Sequence, residues 1–239
     1  MILLGSIRKY SGNVSECPEI QKSMRQSFRS LTFITYVLAF HLAWACWPYF
    51  LYPRVVAIGE TTLVYALVNI GIRLLVWVLP VWLYLRLVDG VDPVNYLKLR
   101  HRVRRGVVIA LVLSTLNLAG SILRFGMPHP DMQRVTWNSV LGTSFLVGFI
   151  EEIPYRGFIL QKLAERINFW VANLITSLLF LSIHVPGWLA LHLLRADMMA
   201  TIFVFGFVMG IAFRYADSLW TPIIVHSTND FLSFVVFKV

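Results

Sequence analysis

Seven apolar runs, each close to the length of a membrane-crossing helix, divide this 239-residue chain. A helix needs about 20 apolar residues to cross a hydrocarbon layer of roughly 30 Å. With 58% apolar and only 14% charged residues, the chain has too few charged groups for a water-soluble domain, which usually carries about 25%. The sequence therefore predicts an all-α, polytopic transmembrane helical bundle of about seven spans, with six to eight allowed. The runs are 31–51, 62–85, 106–123, 137–160, 169–190, 198–213 and 219–237.

No composition shift or linker splits the chain, so we expect residues 1–239 to form a single integral membrane domain. Residues 1–30 are polar, and the first apolar run begins too late and is too long for a secretory signal peptide. The two cysteines, Cys17 and Cys46, provide no disulfide framework.

Positive charge predicts the orientation of the spans, because lysine and arginine concentrate in cytoplasmic loops. The N-terminal segment and the second, fourth and sixth connections carry fifteen of these residues, against five on the opposite side. We therefore expect a multi-pass membrane protein with a cytoplasmic N-terminus and an outside C-terminus. Membrane lipid accounts for the net charge of +9, so nucleic acid is not an expected partner. The fifteen are Arg8, Lys9, Lys22, Arg25, Arg29, Arg86, Lys98, Arg100, Arg102, Arg104, Arg105, Arg156, Lys162, Arg166 and Arg214; the five are Arg54, Arg124, Arg134, Arg195 and Lys238.

Two glycines in the sixth run, Gly206 and Gly210, stand at GxxxG spacing. Such a pair lets a neighbouring helix approach closely. We expect this neighbour to belong to the same chain.

Ionisable side chains inside apolar spans are costly to bury and are candidates for function. Three clusters of them fall in the fourth, fifth and seventh runs, and Arg73 stands alone in the second. A spacing of four residues places two side chains on one helix face. We expect Arg73 either to snorkel towards the membrane surface or to be neutralised by an acid such as Asp230 or Glu151. The clusters are Glu151 and Glu152 with Arg156, Phe180 with His184, and His226 with Asp230.

A polar break at residues 161–168 predicts the turn of an antiparallel hairpin between the fourth and fifth runs. Glu151 and His184 are equidistant from the centre of this turn and would share a depth. At a rise of about 1.5 Å per residue, Glu151 lies ~14 Å and His226 ~10 Å from the apolar ends of their runs. Taken singly, the first two clusters are better explained by helix packing, and the third is explained equally well by it. Their coincidence at one depth favours a site.

At these residues the sequence resembles the CPBP family of intramembrane endopeptidases, which includes the type II CAAX prenyl proteases and the bacteriocin-immunity (Abi) proteins. The family motifs EExxxR, FxxxH and HxxxN/D stand here in the same order, each in a predicted span. The resemblance covers roughly residues 135–239 and implies a catalytic core there. It implies an enzyme that hydrolyses a peptide bond of a membrane-associated or lipidated protein substrate.

The resemblance also implies roles for the motif residues of the fourth and fifth runs. Glu151 would activate a water molecule, and His184 would assist through a second polar contact to that water. Glu152 and Arg156 would fix the first motif helix and orient the site.

His226 and Asp230 would hold the oxyanion or position the scissile carbonyl. Asp230 stands where an amide is common; because an ionised carboxylate cannot donate a hydrogen bond, Asp230 would instead orient His226. Glu151, His184 and His226 are also a candidate ligand set for zinc, with an open position for water. The family is described both as glutamic and as metallo-type, and with no HExxH motif present we expect the glutamic type.

Two other kinds of function stay compatible with the sequence. A non-catalytic membrane protein that binds a partner, as a bacteriocin-immunity-type protein does, would carry the same motifs. A proton-coupled carrier would use the buried acids, although the repeated halves with broken helices typical of carriers are not visible. A Glu151→Gln variant separates a binder from a protease, since a binder would keep its effect. The sequence leaves the substrate and the oligomeric state open.

Overall fold

The computed structural model describes residues 18–130 and 132–237, with side chains from residue 26 onward. Within these ranges the chain consists of helices and their connections, without a strand. The predicted all-helical class is therefore confirmed. Some residues used in the sequence arguments, namely Arg8, Lys9, Cys17 and Lys238, lie outside the described residues, as do the side chains of Lys22 and Arg25.

The helices of the described part follow one another with short connections. In chain order the helices are α1 (Pro18–Phe50), α2 (Tyr52–Val56), α3 (Leu63–Asp89), α4 (Pro93–Tyr96), α5 (Val103–Phe125), α6 (residues 138–164), α7 (Phe169–Ser182), α8 (Val185–Ala190), α9 (Ala196–Ala216) and α10 (residues 220–236). Helices α3, α6 and α10 each contain stretches of wider, π-helical turns, and a single 3₁₀ turn at Met132–Arg134 precedes α6.

Local sequence signals set several helix ends. The hydroxyl of Thr62 accepts a hydrogen bond from the backbone N–H of Tyr65 at 3.1 Å, which caps the start of α3. The Asn168 side chain does the same for Val171 at the start of α7. Helix α3 ends at Asp89, and the next residue, Gly90, has a φ of 68°, a left-handed conformation that glycine adopts without strain.

The turn predicted at residues 161–168 is present between α6 and α7, the helix that Asn168 caps.

Five helical segments of the described part are long and apolar enough to cross a membrane. They correspond to the first, second, third, fifth and sixth predicted runs. The other two predicted spans are α6, whose apolar run is interrupted by charged residues, and α10, which is shorter. The chain is therefore an integral membrane protein, and about seven spans agree with its helices. The segments are Gln26–Phe50, Leu63–Asp89, Val103–Phe125, Phe169–Ala190 and Ala196–Ala216.

The chain divides into two compact units inside α1, the first ending at Phe40 and the second running from His41 to Val239. In the first unit, the hydroxyls of Ser30 and Thr32 donate to backbone carbonyls one turn earlier in the helix. The organisation of residues 1–239 as one domain, with a catalytic core at 135–239, stays a prediction.

Within the second unit, α10 packs between α5 and α6, α9 packs against α7, and α6 contacts α3. Polar contacts join the second, fourth and sixth predicted connections, so these connections lie at one end of the unit. The orientation predicted from lysine and arginine requires these three connections to lie on the same side of the membrane. Which side of the membrane this is stays a prediction. The contacts are Lys162 to Asp89 at 2.8 Å, Tyr96 to Glu165 at 2.6 Å, and Lys98 to Asp217 at 2.6 Å.

Candidate active site

Helix α6 changes its winding beside the two adjacent acids. It is α-helical from Leu146 to Glu152 and π-helical from Ile153 to Leu160. Pro154 lies at this change, and proline has no N–H to donate to the preceding turn. The helix continues past Pro154 as a π-helical segment, a feature found often at functional sites.

The carboxylate of Glu152 joins two of the sequence clusters. Its Oε1 atom accepts hydrogen bonds from Nη1 of Arg156 at 3.0 Å and from Nδ1 of His226 at 2.7 Å. Glu152 and Arg156 are fully buried, and Nη2 of Arg156 donates to the carbonyl of Gly206 at 2.8 Å. The expected ion pair of Glu152 with Arg156 is thus present. The bond from Glu152 to His226, between α6 and α10, was not foreseen from the sequence.

The second acid, Glu151, lies between an arginine and a histidine. Its Oε1 atom is 3.9 Å from Nη1 of Arg73, and its Oε2 atom is 4.0 Å from Nε2 of His226. Glu151 is 6% exposed, and Oε2 makes no hydrogen bond within the described residues. The Arg73 guanidinium lies over the Trp44 ring at 5.6 Å from its centroid. Of the two acids expected to neutralise Arg73, the structure places Glu151 beside it.

His226 and Asp230 share a face of α10, as their spacing predicts. The Nε2 atom of His226 lies 3.8 Å from Oδ2 of Asp230. The other Asp230 oxygen accepts a hydrogen bond from Nδ2 of Asn229 at 3.1 Å, and Asn229 in turn accepts one from Asn117 of α5. Asp230 therefore has a neighbouring amide that fixes its carboxylate plane.

His184 joins the site through Phe180. Its Nδ1 atom is 2.9 Å from the Phe180 carbonyl, and because a carbonyl only accepts, Nδ1 carries the proton. In the neutral ring, Nε2 then has a free lone pair. The Phe180 ring lies 5.1 Å from the ring of His184, 5.9 Å from that of His226 and 4.5 Å from the Arg156 guanidinium carbon. A shared water contact between Glu151 and His184 stays a prediction.

A glycine allows α6 and α10 to come close enough for these contacts. A Cβ atom added at Gly148 would collide with the Ile223 carbonyl and would lie 2.5 Å from the Ser227 hydroxyl. That hydroxyl donates to the Phe145 carbonyl at 2.9 Å, so it also joins the two helices. Gly148 belongs to none of the three motifs; its position three residues before the paired acids was the available signal.

The GxxxG pair packs within the chain, as expected. A Cβ at Gly206 would lie 3.3 Å from both Arg156 and Phe180, and one at Gly210 would collide with the side chain of Asn173. These glycines bring α9 against α6 and α7. The close approach of α9 also brings the Gly206 carbonyl to Arg156.

A zinc ion needs three or four nitrogen, sulfur or oxygen ligands at about 2.0–2.3 Å around one point. Across the described ranges, no group of three or more histidine, cysteine, aspartate or glutamate side chains has this arrangement. The Nδ1 atoms of His184 and His226 bond the Phe180 carbonyl and Glu152, so only their Nε2 atoms could face a metal ion. Together with Glu151 these atoms do not surround one point in this arrangement, and we derive no chemical step through a metal.

An apolar cavity of ≈ 500 Å³ lies beside the site, between α5, α9 and α10. Phe205 lines it, and the Phe205 ring packs against the His226 ring at 5.1 Å. Asn229, the neighbour of Asp230, also lines it. One aromatic side chain therefore separates this cavity from the imidazole.

Residues 133–232 match the model of a protein family described as type II CAAX prenyl endopeptidase Rce1-like. We call this matched segment, which covers less than half of the chain, the Rce1-like domain. It contains all seven motif residues, and helices α1–α5 lie outside it. The family resemblance expected from the three motifs is confirmed for this segment, and the description of that family supports a CAAX-type intramembrane protease. No curated protein and no solved structure matches the chain significantly.

Proposed function

We propose that the Rce1-like domain hydrolyses a peptide bond of a membrane-associated, lipidated protein by means of a water molecule activated by Glu151. The observation that carries this proposal is the convergence of the first and third motifs on one carboxylate, Glu152. Beside it, Arg73 and His226 each lie within 4.0 Å of the Glu151 carboxylate.

In the first step, Oε2 of Glu151 accepts a proton from water while the water oxygen attacks the scissile carbonyl carbon. A buried carboxylate oxygen without a hydrogen bond in the described residues is suited to this, because it is free to accept. His184 accepts the second hydrogen bond of the water through its Nε2 lone pair. The two acceptors together orient the water for attack.

The negative charge that develops on the carbonyl oxygen needs donors. Asp230, when ionised, offers none, although its position in the motif often holds an amide. We assign the donor role to Nε2 of His226, in its doubly protonated form, and to the Arg73 guanidinium. Both groups lie about 4 Å from Glu151, and preorganised donors of this kind commonly supply the largest part of catalysis in acyl transfer.

Collapse of the tetrahedral intermediate breaks the C–N bond. The proton held by Glu151 passes to the leaving nitrogen, so the products are an amine and a carboxylic acid, which releases the second water proton to solvent, and Glu151 returns to its starting form. Glu152 and Arg156 take no part in the proton transfers; they hold His226 and the α6 helix in place.

The apolar cavity between α5, α9 and α10 supports an approach from the membrane. Its lining contains Leu113, Val204, Val208 and Met209, so an apolar chain can occupy it without loss of hydrogen bonds. Phe205, at its inner wall, borders the His226 ring. A lipidated or apolar segment in this cavity would lie next to the proposed donors.

The experiment compares the wild type with Glu151→Gln in membranes of cells that express each at equal level. New protein termini are identified by mass spectrometry, and purified enzyme in nanodiscs is then given an internally quenched peptide with a prenylated CaaX end. We expect wild-type-dependent cleavage products that are absent from Glu151→Gln. Equal product sets in both variants, with equal expression and thermal stability, would exclude hydrolysis by Glu151 and favour a partner binder.

A further inference from the structure

A second, polar cavity of ≈ 390 Å³ lies at the end of the second unit that carries the joined connections. Helices α5 and α7 begin there and α9 ends there, so in a multi-pass protein this is the level of the lipid headgroups. Tryptophan and tyrosine are common at that level, and Trp170 and Tyr215 border the cavity. We call it the arginine pocket; its lining is Arg102, Arg105, Phe169, Trp170, Ile211, Arg214, Tyr215 and Asp217.

Two of the three arginines have guanidinium N–H groups available to a ligand. Arg105 is exposed and takes no part in an ion pair or side-chain hydrogen bond of the described residues. Arg214 lies over the rings of Phe169, at 4.2 Å, and Trp170, at 6.0 Å. A guanidinium stacked on aromatic faces keeps its in-plane N–H groups directed outward. Those groups are available to a bound oxyanion.

The one acid of the pocket is already neutralised. Asp217 accepts a hydrogen bond from Lys98 at 2.6 Å and lies 3.6 Å from Nε of Arg102 and 3.2 Å from His101. The hydrogen bond from Lys98 holds the pKa of this carboxyl below its ordinary value, so it is ionised and paired at neutral pH. The positive charges of Arg105 and Arg214 are therefore left without a counter-charge in the pocket.

We propose that the arginine pocket binds the phosphate of an anionic phospholipid. Guanidinium groups match phosphate geometrically and bind it with two parallel hydrogen bonds. Basic pockets between transmembrane helices are a recurrent site for anionic headgroups. The apolar Ile211 and the aromatic rings line the same cavity, which suits a lipid better than a free phosphate ion.

The test measures lipid retention by native mass spectrometry of the full chain in detergent, supplemented with phosphatidylglycerol or with phosphatidylcholine. We expect phosphatidylglycerol adducts on the wild type, with binding weaker by about fivefold for each of Arg105→Gln and Arg214→Gln. Arg104→Gln is the matched control, because Arg104 is exposed on the same turn of α5 but does not line the pocket. We expect Arg104→Gln to bind as the wild type does. Thermal unfolding of each variant shows that the fold is kept.

Three results would overturn the proposal. Equal retention of phosphatidylcholine and phosphatidylglycerol would show that the pocket does not recognise the charge of the headgroup. A loss in Arg104→Gln as large as in Arg105→Gln would show a diffuse surface field instead of a pocket. Displacement of the lipid by millimolar inorganic phosphate would identify a soluble anion as the ligand. None of these measurements depends on peptide cleavage, so they stand apart from the proposed protease activity.

Discussion

The guanidinium of Arg73, from α3, lies 3.9 Å from the carboxylate of Glu151, from α6. No family motif contains Arg73, yet it is the cation closest to the acid proposed to activate water. We expect Arg73→Gln to lower kcat by about 100-fold with little change in KM, because loss of one oxyanion donor has about this effect. Steady-state kinetics on the quenched peptide measure both constants.

Arg86 provides the comparison for Arg73. It lies on the same helix α3 and is exposed, so Arg86→Gln removes the same charge without touching the site. We expect it to leave kcat unchanged. If Arg73→Gln retained full kcat, the donor role of Arg73 would be wrong, and Arg73 would be only a partner that neutralises Glu151.

Removal of the Glu152 carboxylate leaves the buried Arg156 without a counter-charge. Because breaking a fully buried pair from one side is strongly destabilising, we expect Glu152→Ala to lower the free energy of unfolding by about 3–5 kcal/mol. Denaturant or thermal unfolding in detergent measures this. Asp197→Asn removes one member of an exposed pair with Arg195, and we expect no measurable change. Equal stability of the two variants would contradict the structural role of Glu152.

Gly148→Ala tests the close contact between α6 and α10. The added Cβ would meet the Ile223 carbonyl and the Ser227 hydroxyl, so the helices must separate, and overpacking of this kind costs about 1–3 kcal/mol. The separation also moves His226 away from Glu152, so turnover should fall. Gly120→Ala in α5 is the control, since a Cβ there meets nothing within 4 Å. A variant at Gly148 as stable and active as the Gly120 variant would refute this packing.

The Lys98–Asp217 contact should make stability depend on pH at the acidic end. The Lys98 hydrogen bond lowers the pKa of Asp217 below its ordinary 3.8, so its stabilising contribution is complete above that value. It is lost as pH falls through the lower pKa of the folded state. We expect Asp217→Asn to reduce the melting temperature at pH 7, and the difference from the wild type to shrink below pH ~4. A difference constant over this range would show that the ion pair contributes nothing.

Chelation separates the glutamic from the metal-dependent reaction. With Glu151 as the base and no metal ligand set in the described residues, we expect dialysis against a strong chelator to leave turnover unchanged. Turnover that falls on dialysis and returns with added zinc would assign the metal type, with His184 and His226 among the ligands.

Much of the site could be predicted from its four-residue spacings. The Glu152–Arg156 pair and the shared face of His226 and Asp230 are properties of single helices, so periodicity is sufficient to place them. The turn before Asn168 was equally local, because a polar break and a capping side chain mark it.

Contacts between helices could not be predicted in the same way. Such contacts depend on helix rotation and crossing angle. Examples are the bond from His226 to Glu152, the packing of Phe180 against three polar side chains, and the position of Arg73 beside Glu151. If α6 were rotated by one residue, about 100°, Glu151 would take the place of Glu152 as the hydrogen-bond partner of His226. Gly148 and the π-helical turns of α6 set that rotation, and neither leaves a periodic signal in an apolar run.

One carboxylate oxygen of Glu152 receives both Arg156 and a histidine 74 positions away in the chain. A neutral replacement of Glu152 therefore leaves both Arg156 and His226 without their common acceptor in a buried site. Among descendants that have lost proteolysis, a change at Glu152 should be accompanied by changes at Arg156 and His226.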